Sequence, residues 1–196
     1  MAKLYFYYSA MNAGKTTQLL QNSFNYNERG MDTLLYTFKF DDRYGEAVIA
    51  SRIGLKSAAN VFDKHLDLFE DISKRLTDNT ACIFVDEAQF LMKAHVKQLC
   101  QVVDEFDIPV LTYGLRSDFL GEPFEGSLYL LLWADELVEV KTICHCGKKA
   151  TMNARFDSEC RIIRHGEQID IGGNEKYISL CRKHYYLGDC KGGNKK

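Results

Sequence analysis

Two short stretches of the sequence combine the residue types that bind and transfer phosphate, and the first is SAMNAGKTT at residues 9–17. It follows an apolar run and places Gly14, Lys15 and Thr16 in direct succession. A glycine-containing loop that opens a helix presents backbone N–H groups to an anion. The lysine then neutralises the terminal phosphates, and the hydroxyl completes the shell of Mg²⁺. Ser9 stands where such loops usually carry glycine, and a small serine can make the same turn at modest strain. The stretch predicts a nucleotide site.

The second stretch is a pair of acids at the end of an apolar strand. Residues 82–85, CIFV, lead directly into Asp86 and Glu87. In phosphate-loop proteins the first acid holds Mg²⁺, usually through water, and the second can act as general base on a hydroxyl or on water. The alternative is a strand that ends in a solvated acidic turn. Together the motifs favour an enzyme that uses ATP. The predicted ATP-binding residues are Ser9, Ala10, Met11, Asn12, Ala13, Gly14, Lys15, Thr16, Asp86, Glu87, Ala88 and Gln89.

Cysteine and histidine are paired nearer the carboxyl end of the chain. Cys144 and Cys146 flank His145, and Cys181 shortly precedes His184. Two ligand pairs on short turns are typical of a closed, structural zinc site, although one residue between the first two cysteines is tighter than usual. The most economical ligand set is Cys144, Cys146, Cys181 and His184, with His145 pointing away. Unbound buried thiols are the alternative.

The elements that must position these groups alternate between strand and helix in the first part of the chain. Apolar runs predict five strands, at residues 3–8, 33–40, 81–85, 109–113 and 137–142. Helical periodicity predicts helices at residues 15–29, at 63–76 and around 96–103. Such alternation implies parallel crossovers. We therefore predict an α/β fold of the P-loop (RecA-like) type over residues 1–141, with a mostly parallel sheet and helices on both faces. A small zinc-binding subdomain follows over 142–188, with a flexible tail over 189–196.

Composition limits the kinds of partner. The 196 residues include 25 Lys and Arg against 27 Asp and Glu, so the net charge is −2, and few basic clusters are available for nucleic acid. No apolar run reaches the roughly 20 residues of a membrane span, and no secretory signal is visible. Cysteines in metal-like pairs indicate a reducing compartment. We expect a cytoplasmic protein without nucleic-acid or membrane partners.

Six sequence blocks, in the same order, resemble the type II thymidine kinases, most closely their bacterial and phage branch. They are SAMNAGKT at 9–16, DDR at 41–43, VDEAQF at 85–90, GLRSDF at 114–119, TICHCG at 142–147 and IGGNEKYISLCRKH at 171–184. The resemblance spans nearly the whole chain. It implies transfer of the ATP γ-phosphate to the 5′-hydroxyl of thymidine, giving dTMP and ADP for DNA precursor salvage. It also implies a homotetramer that is inhibited by dTTP.

The resemblance implies roles for individual residues as well. Glu87 would take the proton of the 5′-hydroxyl. Asp41 and Arg43 would lie near Mg²⁺ and the transferring phosphate, together with Thr16 and Asp86.

Nucleoside contacts are implied in the same way. Phe119 and Tyr177 would lie beside the nucleoside, although without the resemblance both would be assigned to the core. A lasso-like loop of the zinc-binding subdomain would close over the base. The implied substrate-binding residues are Met11, Phe119, Gln168, Ile169, Asp170, Ile171, Gly172 and Tyr177.

Two other functions fit the isolated motifs. A nucleic-acid-stimulated ATPase with a zinc module as reader would carry basic residues alternating with aromatic ones around the metal, and the scarcity of basic clusters counts against it. A regulator that binds nucleotide without turnover would not require Glu87. ADP release from Mg²⁺–ATP with thymidine, with DNA or with neither distinguishes the three.

Overall fold

The computed structural model describes residues 1–39, 48–168 and 176–189. Thirteen strands lie in these ranges: β1 (Leu4–Ser9), β2 (Asp32–Phe38), β3 (Val48–Ala50), β4 (Lys56–Ala58), β5 (Asn60–Phe62), β6 (Thr80–Val85), β7 (Val110–Leu115), β8 (Glu136–Glu139), β9 (Thr142–Ile143), β10 (Lys149–Ala150), β11 (Met152–Phe156), β12 (Ile162–Ile163) and β13 (Tyr177–Leu180). The same ranges contain five α-helices: α1 (Lys15–Asn27), α2 (Leu68–Arg75), α3 (Lys93–Phe106), α4 (Glu125–Trp133) and α5 (Arg182–Leu187). A 3₁₀ turn spans Ala88–Phe90.

Six strands form the main sheet, in the order β5-β2-β6-β7-β1-β8. Every neighbouring pair is parallel. Because parallel strands end at the same edge of a sheet, the loop after β1 and the acids after β6 lie at one edge with only β7 between them. This order positions the site, and the predicted P-loop α/β fold is confirmed.

Both faces of the main sheet are covered by helices. Successive residues of β6 belong to different faces: Ile83 and Val85 pack among residues of α2, α3 and α4, whereas Cys82 and Phe84 pack against α1. A strand buried on both faces needs a continuous apolar run rather than an alternating one. This explains the composition of the segment that leads to the acid pair.

Several elements differ from their predicted extent. The helix predicted at residues 63–76 begins only at Leu68, because Asp67 caps it by accepting from the N–H of Glu70 (2.9 Å). Asp63 instead closes a turn by accepting from the N–H of His65 (2.8 Å). The strand predicted at 137–142 is divided into β8 and β9.

Strand β5 and helix α4 were not predicted from the sequence. β5 is only three residues long, and α4 has apolar residues on every side, so neither gives a periodic signal.

A small unit follows β8, and we use this name for the described residues of 142–188. Its strands pair antiparallel, β9 with β10 and β11 with both β12 and β13. Its core consists of Cys144, Ala150, Ala154, Leu180, Cys181 and Tyr185. The pairing thus changes from parallel to antiparallel after β8, while the exact division of the chain at residue 141 stays a prediction.

None of the helices in the described ranges has the length and apolar character that a bilayer crossing requires.

Helix α4 lies directly against the 3₁₀ turn that follows the acid pair. A Cβ atom on Gly126 would lie 2.4 Å from the carbonyl oxygen of Ala88 and 2.7 Å from that of Leu91. Both contacts are with backbone, so neither can be relieved by a side-chain rotation. The turn and the helix can therefore approach this closely only with glycine at position 126.

We predict that Gly126→Ala lowers the melting temperature by about 2–8 °C, because overpacking against backbone outweighs the gain in helix propensity. Thermal unfolding followed by circular dichroism measures the change. Gln101→Ala, at an exposed position of α3, serves as control and should have a smaller effect. A melting temperature of Gly126→Ala at or above that of the unaltered protein would contradict the close contact.

Candidate active site

A cleft of about 600 Å³ opens at the carboxyl edge of the main sheet. Its walls come from the loop after β1, the acids after β6, the segment after β7 and the start of β13. The predicted site residues that line it are Met11, Asn12, Ala13, Gly14, Lys15, Thr16, Asp86, Glu87, Gln89, Phe119, Gln168 and Tyr177. Ser9, Ala10 and Ala88 are buried next to these. The predicted residues Asp41, Arg43, Ile169, Asp170, Ile171 and Gly172 lie outside the described residues.

The phosphate loop, residues 9–16, leads from β1 into α1 through two left-handed backbone positions. Asn12 has φ 62° and Gly14 has φ 83°, a region that glycine adopts without strain and asparagine tolerates. The first hydrogen bond of α1 runs from the N–H of Gln18 to the carbonyl of Gly14 (3.0 Å). Amides in the first turn of a helix have no partner within the helix, so the loop presents free donors to an anion in the cleft.

Ser9 fixes the ammonium group of Lys15. Lys15 Nζ donates to Ser9 Oγ (2.8 Å) and to the carbonyl of Ala10 (3.2 Å). Burial lowers the pKa of Lys15 to about 8, while the charges of Glu87 and Asp86 act against this shift. The serine at the usual glycine position therefore supplies a polar partner for a partly desolvated cation, which a bound phosphate would stabilise further.

Asp86 and Thr16 join the two motifs directly. Thr16 Oγ1 donates to Asp86 Oδ2 over 3.0 Å. Burial, together with repulsion from Glu87, raises the pKa of Asp86 to about 7. A hydroxyl beside a carboxylate is the oxygen-ligand chemistry that Mg²⁺ prefers, and a bound cation would favour the ionised carboxylate.

Glu87 is oriented by Gln89. Glu87 has a left-handed backbone, φ 52°, and its carboxylate accepts from Gln89 Nε2 at 2.5 Å. Gln89 is 2% exposed, and its Oε1 accepts from the N–H of Leu115 at the end of β7 (3.0 Å). The carboxylate is therefore held by a side chain that is itself anchored to the main sheet.

Aromatic residues form another wall of the cleft. Phe119 is 1% exposed, and its ring meets that of Tyr177 edge to face, with centroids 6.5 Å apart. The guanidinium of Arg155 lies 4.1 Å from the Phe119 ring centre. Gln168 donates to the carboxylate of Asp118 (3.0 Å), which brings the last described residue before position 169 against this wall. Phe119 is thus both a buried aromatic and part of the cleft surface.

The small unit brings the four predicted metal ligands together. Their donor atoms all lie within 4.8 Å of one another. Cys144 Sγ is 3.3 Å and Cys181 Sγ is 3.5 Å from His184 Nδ1, and Cys146 Sγ is 3.9 Å from Cys181 Sγ. Zinc bound tetrahedrally to sulfur and nitrogen sets its ligand atoms about 3.5–3.8 Å apart, so the spacing and the donor chemistry both fit this metal.

His145 is placed beside this cluster and not in it. Its ring stacks on that of His184, with centroids 4.4 Å apart. Its Nε2 is 3.7 Å from a carboxylate oxygen of Asp189. The side chain is therefore directed toward the segment after α5.

The comparisons with known proteins agree with this arrangement. The profile of the family described as thymidine kinase matches residues 2–185. A thymidine kinase of Coxiella burnetii is 60% identical over 190 residues, which cover 96% of this chain and 97% of the relative. A thymidine kinase of Shewanella oneidensis is 61% identical over 186 residues, 94% of this chain and 97% of the relative. One from Yersinia pseudotuberculosis is 58% identical over 186 residues, 94% and 95% of the two chains.

The chain belongs to the thymidine kinase family. The resemblance inferred from the six sequence blocks is therefore confirmed.

Several residues that line the cleft of this thymidine kinase family member had no role assigned from the sequence. Asn153 lies among the short strands of the small unit, and Asp118 lies inside the GLRSDF block without an assigned role. The turn from Ala50 to Ile53 also reaches the cleft. Asp118 was signalled by its position next to Phe119. Asn153 was signalled by the resemblance, which sets the region around Met152 and Asn153 at the thymine methyl without a role for either residue. The hairpin turn carried no signal.

We predict that Asp86→Asn stabilises the nucleotide-free protein at about pH 8 and has little effect at about pH 4. The raised pKa of Asp86 means that its ionised form disfavours the folded state. This penalty is absent below the unfolded pKa of about 4, grows as the pH rises, and is complete above the folded pKa of about 7. Asparagine removes it, and the gain is at most on the order of 4 kcal/mol.

Differential scanning calorimetry without nucleotide or Mg²⁺ at both pH values measures this difference. Asp78→Asn, a substitution at an exposed position, controls for the lost negative charge. A gain in melting temperature for Asp86→Asn that is equal at the two pH values would show that Asp86 is not held in a charge-disfavouring environment.

Proposed function

We propose that this protein is an ATP-dependent thymidine kinase, which transfers the γ-phosphoryl group of ATP to the 5′-hydroxyl of thymidine. The observation that carries the proposal is the convergence of Lys15, Thr16, Asp86 and Glu87 on one cleft, in a chain of the thymidine kinase family. In the reaction the thymidine 5′-oxygen forms a bond to the γ-phosphorus, and the bond from that phosphorus to the β–γ bridging oxygen breaks. The products are dTMP and ADP.

Charge stabilisation and positioning account for most of the catalysis. The transition state spreads negative charge over the γ-phosphoryl oxygens, and the protein contributes cations and donors held in place beforehand. Lys15 is fixed next to the loop amides before any phosphate arrives. Thr16 and Asp86 would hold Mg²⁺, and the ion would offset the negative charge of the phosphates. Asp41 and Arg43 complete the proposed phosphate side of the site.

Glu87 is the proposed general base. Its carboxylate faces the cleft and accepts a hydrogen bond from Gln89, which fixes its orientation and leaves acceptor capacity for the 5′-hydroxyl. As the new P–O bond forms, the hydroxyl proton passes to Glu87. The paired acids favour an enzyme over a nucleotide-binding regulator, because binding alone requires no base.

The nucleoside is proposed to bind against the aromatic wall. Phe119 and Tyr177 offer apolar ring surface for the thymine base, and Met11, in the phosphate loop, also lines the cleft. The lasso-like loop, from Gln168 to Gly172, supplies the remaining contacts to the thymine base. A polar nucleoside edge needs such hydrogen bonds, because the aromatic rings supply shape and dispersion only.

A structural zinc ion is proposed for the cluster of Cys144, Cys146, Cys181 and His184. Four protein ligands leave no open position, so the ion would stabilise structure and take no part in the reaction. One ligand pair lies between β9 and β10, and the other lies after β13. The lasso-like loop lies between the two ligand pairs in sequence, so the metal would hold the two ends of that loop together.

Further properties are proposed from the family: a cytoplasmic homotetramer that is inhibited by dTTP. The exposed apolar side chains Leu128, Leu132 and Trp133 on α4 support an assembly, since a surface of this kind is favourable to bury. Sedimentation analysis and inhibition by dTTP at fixed ATP and thymidine test these properties separately from the reaction itself.

The activity itself is tested by ADP release from Mg²⁺–ATP with thymidine, with DNA and with neither. We expect release that depends on thymidine, and dTMP as second product by chromatography. Release stimulated by DNA instead would favour a nucleic-acid-dependent ATPase, and binding without release in every condition would favour a regulator. Parallel assays with the other deoxynucleosides establish the preference for thymidine.

We predict that Glu87→Gln lowers kcat by on the order of 10²–10⁴-fold, because the general base is removed. The Kd of Mg²⁺–ATP should remain within a few-fold, since the amide oxygen can still accept from Gln89. Steady-state kinetics and isothermal titration calorimetry measure the two quantities. A kcat within a few-fold of the unaltered protein would remove Glu87 from the role of base.

A further inference from the structure

The peptide group of Met11, in the phosphate loop, is held on both sides by the small unit. Its N–H donates to Oδ1 of Asn153 (2.7 Å), and its carbonyl accepts from the hydroxyl of Ser179. Asn153 is 2% exposed, and Ser179 is also buried. The two residues are opposite each other in the antiparallel pair of β11 and β13, so their side chains leave the same face of that sheet. Two adjacent strands therefore support the loop.

Asn153 also connects the phosphate loop to the aromatic wall. Its Nδ2 donates to the carbonyl of Ser117 (2.7 Å), two residues before Phe119. One end of the buried amide is thus used by the loop and the other by the segment that carries Phe119. Because a buried amide is costly unless both its donor and its acceptor are satisfied, this arrangement favours one relative placement of the two segments.

The contact also decides which amides of the loop remain available for phosphate. The N–H of Met11 is committed to Asn153, so it is not a donor to an anion in the cleft. The backbone reverses at the next residue, Asn12, whose carbonyl accepts a longer hydrogen bond from Thr142 Oγ1 (3.5 Å). The orientation of the Met11 peptide therefore determines where the turn begins and where the following amides point.

We propose that Asn153 is a positioning residue that sets the placement of bound ATP relative to the nucleoside. It does so by fixing the phosphate loop and the Phe119 segment to a single buried amide group. Ser179 supports the loop alone. That the second ligand is a nucleoside rests on the proposed function. The effect of Asn153 on the phosphate loop concerns nucleotide binding alone.

Asn153→Ala tests the proposal in the full-length protein. Without thymidine, the Kd of a non-hydrolysable Mg²⁺–ATP analogue should rise roughly ten-fold, because the Met11 N–H loses its partner and the loop amides are no longer held in place. The kcat for thymidine should fall by at least the same factor, since ATP and the nucleoside are no longer held at a fixed position relative to each other. Isothermal titration calorimetry and steady-state ADP release measure the two effects.

Ser179→Ala separates the loop from the aromatic wall. It removes the hydrogen bond to the Met11 carbonyl and leaves the bond between Asn153 and Ser117 in place. The analogue Kd should rise by a smaller factor, about three-fold, while the KM for thymidine at saturating ATP stays unchanged. If Asn153→Ala does not fold, an unaltered analogue Kd in Ser179→Ala would overturn the proposal, because it would show that holding the Met11 peptide does not affect nucleotide binding.

Asn60→Ala is the matched control. The side chain of Asn60 donates to the carbonyl of Leu35 (3.2 Å), so it also holds a backbone segment in place. It lies on β5, at the edge of the main sheet opposite β8 and away from the phosphate loop. The variant should lose thermal stability without a change in the analogue Kd.

A rise in thymidine KM alone in Asn153→Ala, with an unaltered analogue Kd, would assign Asn153 to direct contact with the nucleoside and overturn the proposal. An unaltered Kd in both variants would overturn it as well. If the unaltered protein binds the analogue but does not phosphorylate thymidine, the proposed function fails, and the Kd values of the variants still decide whether Asn153 positions the loop.

Discussion

At the edge of the main sheet the cleft brings Lys15 close to the carboxylates of Asp86 and Glu87 before any phosphate or metal ion neutralises them. Burial lowers the pKa of Lys15 and raises that of Asp86, so both groups are held in an environment that disfavours their charged forms. A fold can keep such groups only if hydrogen bonds fix them and the rest of the structure compensates for the cost. Ser9 does this for Lys15, and Thr16 does it for Asp86. A bound Mg²⁺–triphosphate would reduce the cost of keeping Lys15 and Asp86 charged in this buried environment.

The rigidity around these groups comes from the main sheet and from close packing. The acids follow β6, whose last four residues are fully buried on both faces. The next residues turn sharply at Glu87 and are then covered by α4, where Gly126 allows backbone-to-backbone contact. Gln89, inside this turn, links Glu87 to β7. The carboxylate is consequently anchored by two adjacent strands and one helix, although it lies on a turn.

Much of this arrangement could be predicted from the sequence because it depends on local patterns. The start of α1 at Lys15 follows from the phosphate-loop motif, and the acid pair follows from a strand whose residues are all apolar. The order of the strands could not be predicted, since it is decided by long-range pairing between β7 and both β1 and β6. Helix α4 was not predicted because its own residues are apolar on every side, so its sequence shows no helical periodicity. The contacts of Asn153 could not be predicted, because its partners, Met11 and Ser117, are distant in sequence and accept or donate through backbone atoms.

The hydrogen bonds of Asn153 and Ser179 to Met11 mean that the small unit supports the phosphate loop. The small unit must therefore be stable itself, although it is small. Its strands are two to five residues long, its one described helix has six, and its core contains six residues, so hydrophobic burial alone stabilises it only marginally. Two of the six core residues, Cys144 and Cys181, belong to the proposed zinc cluster, and a structural zinc ion contributes about 10 kcal/mol or more to folding in small domains. Cys181 follows β13 directly, two residues after Ser179. A metal ion there would stiffen the strand that supports Met11, so a site with no part in the chemistry would still determine how well the phosphate loop is held.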